Sequence, residues 1–160
     1  MFIRFCDYVT AIVEAVLAMG FFALIVTVSF QVLGRTLLSL PSIWTLDLAQ
    51  LLFTWLIFLG AAVALRMNVH YVVDVLPPLR LFAVVGVLGT AMVVYILVVP
   101  GWSLANLRAS AVIPSLDLSM FWAFLALPVS GALMALYTLE YIYVSLKGPV
   151  IEQRTEGTGE

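Results

Sequence analysis

Four long apolar stretches, at about residues 9–34, 44–65, 81–102 and 120–144, fill most of this chain and are joined by short connections. Each is close to the roughly 20 residues that an α-helix, rising about 1.5 Å per residue, needs to cross hydrocarbon. None alternates strictly as a barrel strand would, and an open sheet edge cannot be satisfied in lipid. The pattern therefore predicts an all-α integral membrane protein with four transmembrane helices. The composition, 64% hydrophobic and 10% charged, agrees. So little sequence lies outside the stretches that function must be built within or between the helices.

The first stretch reads as a retained helix. It is longer than the roughly 7 to 15 apolar residues of a secretory signal and is not followed by a small-x-small cleavage pattern. A single cysteine, Cys6, excludes an intrachain disulfide, and a single histidine, His70, excludes a bis-histidine haem or His-rich metal site made by this chain alone. No cofactor, metal centre, enzymatic activity or nucleic-acid partner is expected; the partner that composition demands is the lipid bilayer. Residues 147–160 read as a polar tail, whose Glu152, Glu156 and Glu160 contribute much of the acidic excess behind the net charge of -2.

Four spans put both termini and the middle connection on one side. That side would carry Arg4, Arg66, Arg80, Lys147 and Arg154, against Arg35 and Arg108 on the other. The positive-inside rule thus predicts cytoplasmic termini. Trp44, Trp102 and Trp122 would then mark the outer interface, and Tyr8, Tyr71, Tyr141 and Tyr143 the inner one.

The polar residues near the spans define the candidate sites. Glu14 lies five residues after Val9, near enough to the interface to be hydrated or paired with Arg4; a deep carboxylate there would instead suggest an ion or proton site. Glu140, near the end of the fourth span, reads in the same way. Asp47 stands in the first turns of the second helix, where with Ser42 it can serve helix capping and the positive dipole end, or can pair with Arg35 or Arg108. Arg66, His70 and Asp74 recur at i, i+4 steps while Val69, Val72, Val73 and Leu76 keep helical spacing, so residues 66–76 predict a short amphipathic interfacial helix ended by Pro77 and Pro78. The alternative is that the second span simply continues into water. Pro128 falls mid-span, frees the Phe124 carbonyl and bends the fourth helix, with Ser130 and Gly131 suiting close packing. Gly60, Ala61 and Ala62 would likewise allow close helix approach.

Read in order, Arg35, Trp44-Thr45-Leu46-Asp47, Phe58-Leu59-Gly60-Ala61-Ala62, Arg66, His70, Val73-Asp74, Ile113-Pro114-Ser115-Leu116-Asp117-Leu118-Ser119 and Trp122 through Leu127-Pro128-Val129-Ser130-Gly131 form a set. That set resembles the small membrane subunit, the DctQ type, of tripartite ATP-independent periplasmic (TRAP) transporters, although Asp47 stands where the family usually has Glu. The resemblance implies a bacterial inner-membrane scaffold subunit of a secondary-active, sodium-coupled uptake system for an organic acid. Its implied partners are a large DctM-type membrane subunit and a periplasmic DctP-type substrate-binding protein. On this reading Arg35, Trp44 and Asp47 order the outer face, Arg66, His70 and Asp74 brace the cytoplasmic one, and Gly60 and Pro128 serve packing. The competing expectation is a self-sufficient small four-helix drug/proton antiporter that uses Glu14.

Overall fold

The structure is a computed structural model that describes residues 2–37, 43–75 and 80–147, without the side chains of 2, 68–75, 80–85 and 144–147. The polar tail after Lys147, the cap position Ser42 and the Pro77-Pro78 pair lie outside the described residues. Four helices are long and apolar enough to cross a membrane. In chain order the elements are α1 (Phe2–Leu37), α2 (Ile43–Val75), α3 (Arg80–Leu107), β1 (Val112–Ile113), β2 (Leu118–Ser119), α4 (Phe121–Phe124) and α5 (Ala126–Lys147).

The helices are longer than the apolar stretches that predict them. α1 begins at Phe2 rather than near residue 9, because Phe2, Ile3, Phe5 and Cys6 continue the apolar character outward. α2 runs without interruption to Val75. Residues 66–75, expected as a separate interfacial helix, are therefore the last turns of α2, continuing it beyond the apolar part that ends at Met67. Nothing in the sequence between Ile43 and Val75 breaks a helix, and the first prolines come at Pro77 and Pro78. α3 carries Pro100 inside it and continues to Leu107.

The fourth span is interrupted, as Pro128 predicts. α4 ends at Phe124, and α5 starts at Ala126 after a turn at Leu125. Pro128 has no N–H to offer the Phe124 carbonyl, and the next backbone bond, Val129 N–H to the Leu125 carbonyl, is long at 3.3 Å. At the same junction the Trp122 carbonyl accepts the indole N–H of Trp55 from α2 at 3.1 Å. A side chain of the neighbouring helix thus fills a place that the broken ladder leaves.

The principal packing runs α1 on α2, α2 on α5 and α5 on α3, so the helices form an open row with α2 and α5 inside and α1 and α3 at its edges. α1 meets the row along a narrow seam. Its less exposed residues include Cys6, Thr10, Val13, Leu17, Gly20, Leu24, Thr27, Gln31 and Gly34, at alternating steps of four and three, the 3.5-residue repeat of a coiled-coil seam. At Gly20 an added Cβ would sit 3.3 Å from Leu56 Cδ2, so the small residue lets α2 approach.

The α3–α5 contact is tighter. A Cβ on Gly131 would lie 2.9 Å from both Leu97 Cβ and Val98 Cγ2, and one on Gly101 would lie 3.0 Å from Leu127 Cβ and 3.5 Å from Pro128 Cδ. Pro128 is buried in this contact and Ser130 is fully buried, donating its hydroxyl to the Leu127 carbonyl at 2.9 Å. Where α2 meets α5, Ala62, Met134 and Tyr137 form a core with Leu65, Val94, Leu97 and Leu133 packed against it.

Between α3 and α4 the chain makes a small hairpin, with Val112 paired to Ser119 and Ile113 to Leu118. The four-residue loop 114–117 closes on Asp117 at φ 51°, a left-handed conformation that Asp tolerates better than most side chains. The hairpin is tied at its base by Ser119 Oγ, which donates to the Ala109 carbonyl at 2.7 Å and accepts the Phe121 N–H at 3.1 Å.

Candidate functional site

Polar side chains that enter a membrane segment need partners, and here they gather in two layers. The first lies at the end of the row that holds the chain's N-terminus. Arg66 of α2 extends its guanidinium between α5 and α1: Nε donates to Glu140 Oε2 at 2.9 Å and Nη2 to Glu140 Oε1 at 2.8 Å, a two-point grip on one carboxylate. The same Nη2 donates to Asp7 Oδ1 at 2.6 Å, and Nη1 donates to Thr10 Oγ1 at 2.6 Å. Thr10 donates its own proton to the Cys6 carbonyl one turn back at 2.9 Å, and its hydroxyl bonds that of Tyr137 at 3.1 Å. The Tyr137 ring packs under the guanidinium, 5.5 Å from its Cζ, adding a cation–π contact.

All three nitrogens of Arg66 are thus engaged, and three helices are tied by one side chain. The Arg66 and Glu140 side chains are 14% and 8% exposed, whereas Asp7 is 60% exposed. The Glu140 pair is therefore the buried, strongly held contact, and Asp7 is its outer, solvent-side partner. Two carboxylates against one guanidinium leave the cluster with a formal charge of -1. Among the described residues no group of three metal-ligating side chains is found. Chemically the cluster is a clasp.

The second layer lies at the opposite end. Asp47, half-buried in the first turns of α2, accepts a short hydrogen bond from Ser115 Oγ in the hairpin loop. Of its two readings, helix capping or an ion pair with Arg35 or Arg108, the ion pair is not formed: among the described residues the ion pairs are those of Arg66. The hairpin brings a hydroxyl to Asp47, while Arg35 and Arg108 are exposed at the ends of α1 and α3. Trp44 packs against Phe30 with ring centroids 6.0 Å apart, and Trp102, Phe121 and Trp122 form an edge-to-face series at 6.3 and 6.2 Å. Along α2 the layers are 19 residues apart, from Asp47 to Arg66, or about 28 Å at 1.5 Å per residue. That spacing is close to the thickness of bilayer hydrocarbon, about 30 Å.

Of the predicted site residues, Arg66 is central to this clasp, and the brace expected of it with His70 and Asp74 falls on residues of the last turns of α2 whose side chains are not described. Gly60 is not a point of close approach among the described residues, because none of their atoms lies within 4 Å of where its Cβ would be; Ala62, two residues along, is fully buried. Glu140 is an inter-helix partner rather than an interfacial anchor. Glu14 is exposed, and neither Arg4 nor any other described residue pairs with it. Asp7, Thr10 and Tyr137 were not singled out from the sequence. One arginine and two carboxylates standing at equivalent ends of three apolar stretches was the signal that could have found them.

Residues 24–148 match the family described as tripartite ATP-independent periplasmic transporters, DctQ component. The chain belongs to this family. It is 32% identical over 131 residues to the sialic acid TRAP transporter small permease protein SiaQ of Vibrio cholerae, covering 78% of this chain and 76% of that protein. It is 30% identical over 119 residues to the C4-dicarboxylate TRAP transporter small permease protein DctQ of Rhodobacter capsulatus. That match covers 69% of this chain and spans about half, 52%, of the relative. The family match starts within α1 and takes in both Arg66 and Glu140, while Asp7 and Thr10 precede it. As a DctQ-type, multi-pass membrane subunit of a transporter, the chain is not read as a self-sufficient antiporter.

Proposed function

We propose that this chain is the scaffold subunit of a sodium-coupled TRAP uptake system for an organic acid in a bacterial inner membrane. It packs on a large DctM-type subunit and helps a periplasmic DctP-type binding protein to dock. The family match over residues 24–148 carries the reading. The two named relatives serve sialic acid and C4-dicarboxylate transporters, both carboxylate substrates, which supports an organic acid here.

The architecture supports a scaffold. Arg66 is fully engaged with residues of this chain, and the edge helices α1 and α3 expose large apolar side chains such as Phe21, Phe22, Met92 and Tyr95. Such a row gains specificity by shape-matched packing with another membrane protein, since lipid and partner are equally apolar. The hairpin held to Asp47 and the ring series of Trp102, Phe121 and Trp122 make an ordered outer end for a binding protein to meet. Cytoplasmic termini are supported by Arg4, Arg80, Lys147 and Arg154, even with Arg66 committed to the clasp.

The test is recovery of the tagged chain from its native bacterium in mild detergent, with mass spectrometry of what accompanies it. A large polytopic membrane protein in roughly equal amount is the expected result; recovery as a homodimer alone would overturn the subunit reading. Uptake by the reconstituted complex should stop when the sodium gradient is dissipated. A carboxy-terminal fusion to a fluorescent protein should glow, and one to periplasmic alkaline phosphatase should be inactive.

A further inference from the structure

Among the described residues, Glu14 is a membrane-depth carboxylate that the chain does not satisfy. In the α1 seam Asp7 and Glu14 occupy equivalent flanking places one seven-residue repeat apart, the places from which coiled-coil helices reach across to charged neighbours. Asp7 finds Arg66. α2 runs antiparallel to α1, so one repeat deeper it offers the residue seven before Arg66, which is the apolar Leu59. Glu14 is exposed, and the ion pairs and side-chain hydrogen bonds found among the described residues do not include it. Arg4 is ten residues away along the helix, about 15 Å, beyond the reach of two side chains.

Its depth makes this costly. α1 starts at Phe2, so Glu14 is twelve residues into the helix instead of the five expected from Val9. Relative to Thr10 and Asp7, both bonded to Arg66, it lies four to seven residues inward, or about 6 to 10 Å, within a slab whose polar layers are about 28 Å apart. The sixteen residues from Ala15 to Phe30, before Gln31, give an apolar length of about 24 Å, less than the hydrocarbon thickness, so Glu14 cannot be lifted out by sliding α1 without drawing Gln31 in. A carboxylate placed there faces protein and pairs with a cation or hydrogen-bond donor.

We propose that Glu14 is an inter-subunit contact, occupied by a basic side chain from a transmembrane helix of the large subunit that packs along the flank of α1. The proposal rests on the subunit reading above and names the face used. Charge complementarity selects the occupant: an apolar helix or a lipid tail would leave the carboxylate unpaired, and a second copy would set it against the same negative flank.

The experiment uses the complex purified from the native bacterium, with a photo-crosslinking amino acid at position 14 and, separately, Glu14→Gln, Glu14→Leu and Glu14→Lys. Wild-type chain should bring down the large subunit, and failure there overturns the subunit reading itself. Given that recovery, the position-14 crosslink should capture the large subunit. Glu14→Lys should reduce its recovery at least tenfold, and Glu14→Leu, which suits a lipid-facing helix and leaves the chain folded, should reduce it severalfold. Normal recovery with Glu14→Leu and Glu14→Lys, or a crosslink to a second copy of this chain, would overturn the proposal while leaving the subunit reading intact.

Discussion

Arg66 divides its three guanidinium nitrogens between two neighbouring helices, Glu140 of α5 and Asp7 with Thr10 of α1, and this has consequences for single substitutions. Removing one member of a buried ion pair strands the other, so Arg66→Ala and Glu140→Ala should each destabilise the isolated subunit by about 3 to 5 kcal/mol. The apolar double replacement Arg66→Met with Glu140→Leu should recover most of that loss. Unfolding in detergent, read as a double-mutant cycle, checks both. Asp7→Asn should cost less than about 1 kcal/mol, since Asp7 stands mostly in solvent. Part of this site was legible in the sequence and part was not. Arg66 stood out as a charge at the end of an apolar stretch. Its partners did not, because they lie 59 and 74 residues away and each carboxylate alone reads as an interfacial anchor. Asp47 reads in the sequence either as a helix cap or as the partner of an arginine, and the contact it makes could not be read because its donor, Ser115, sits in a loop 68 residues away.

The elements show why hydropathy gives spans but not their packing. When nearly every residue of a helix is apolar, no stripe distinguishes lipid from neighbour, and the packed side is marked by small and weakly polar residues. On α1 those are Cys6, Thr10, Gly20, Thr27 and Gly34, a repeat that can be read only once the 3.5-residue spacing is sought. The Pro128 bend was legible from the missing N–H alone. The two-stranded hairpin was not, since its strands of two residues are too short to show alternation. Glycines that look alike in sequence differ here. Gly131→Ala should cost about 1 to 3 kcal/mol in subunit stability through overpacking against Leu97 and Val98, whose backbone N lies only 3.3 Å from the added Cβ. Gly60→Leu should leave the isolated subunit as stable as wild type and, if Gly60 packs against the large subunit, lower recovery of the complex. Thermal unfolding and co-purification separate the two. Trp55→Phe should weaken the α4–α5 junction by about 1 kcal/mol, measured in the same melts, by removing the indole donor from the Trp122 carbonyl.

Across the whole molecule the helix order α1–α2–α5–α3 is checked by engineered disulfides. With Cys6 replaced by Ala, Gly101→Cys with Leu127→Cys should oxidise readily, because the two Cβ positions are about 3.0 Å apart and need only a small adjustment to reach disulfide geometry. A pair on the two edge helices, Met19→Cys with Met92→Cys, should not form within one chain. The clasp also has a history built into its numbering. Residues 7 and 66 leave the ribosome well before residue 140, so for the time it takes to make the last helix the guanidinium can hold only the outer carboxylate and the threonine. Insertion of α5 supplies the second grip, and with it the surface that α3 packs against. Closure of the clasp therefore comes last in synthesis, and a chain truncated before Glu140 leaves the Arg66 guanidinium without its two-point partner.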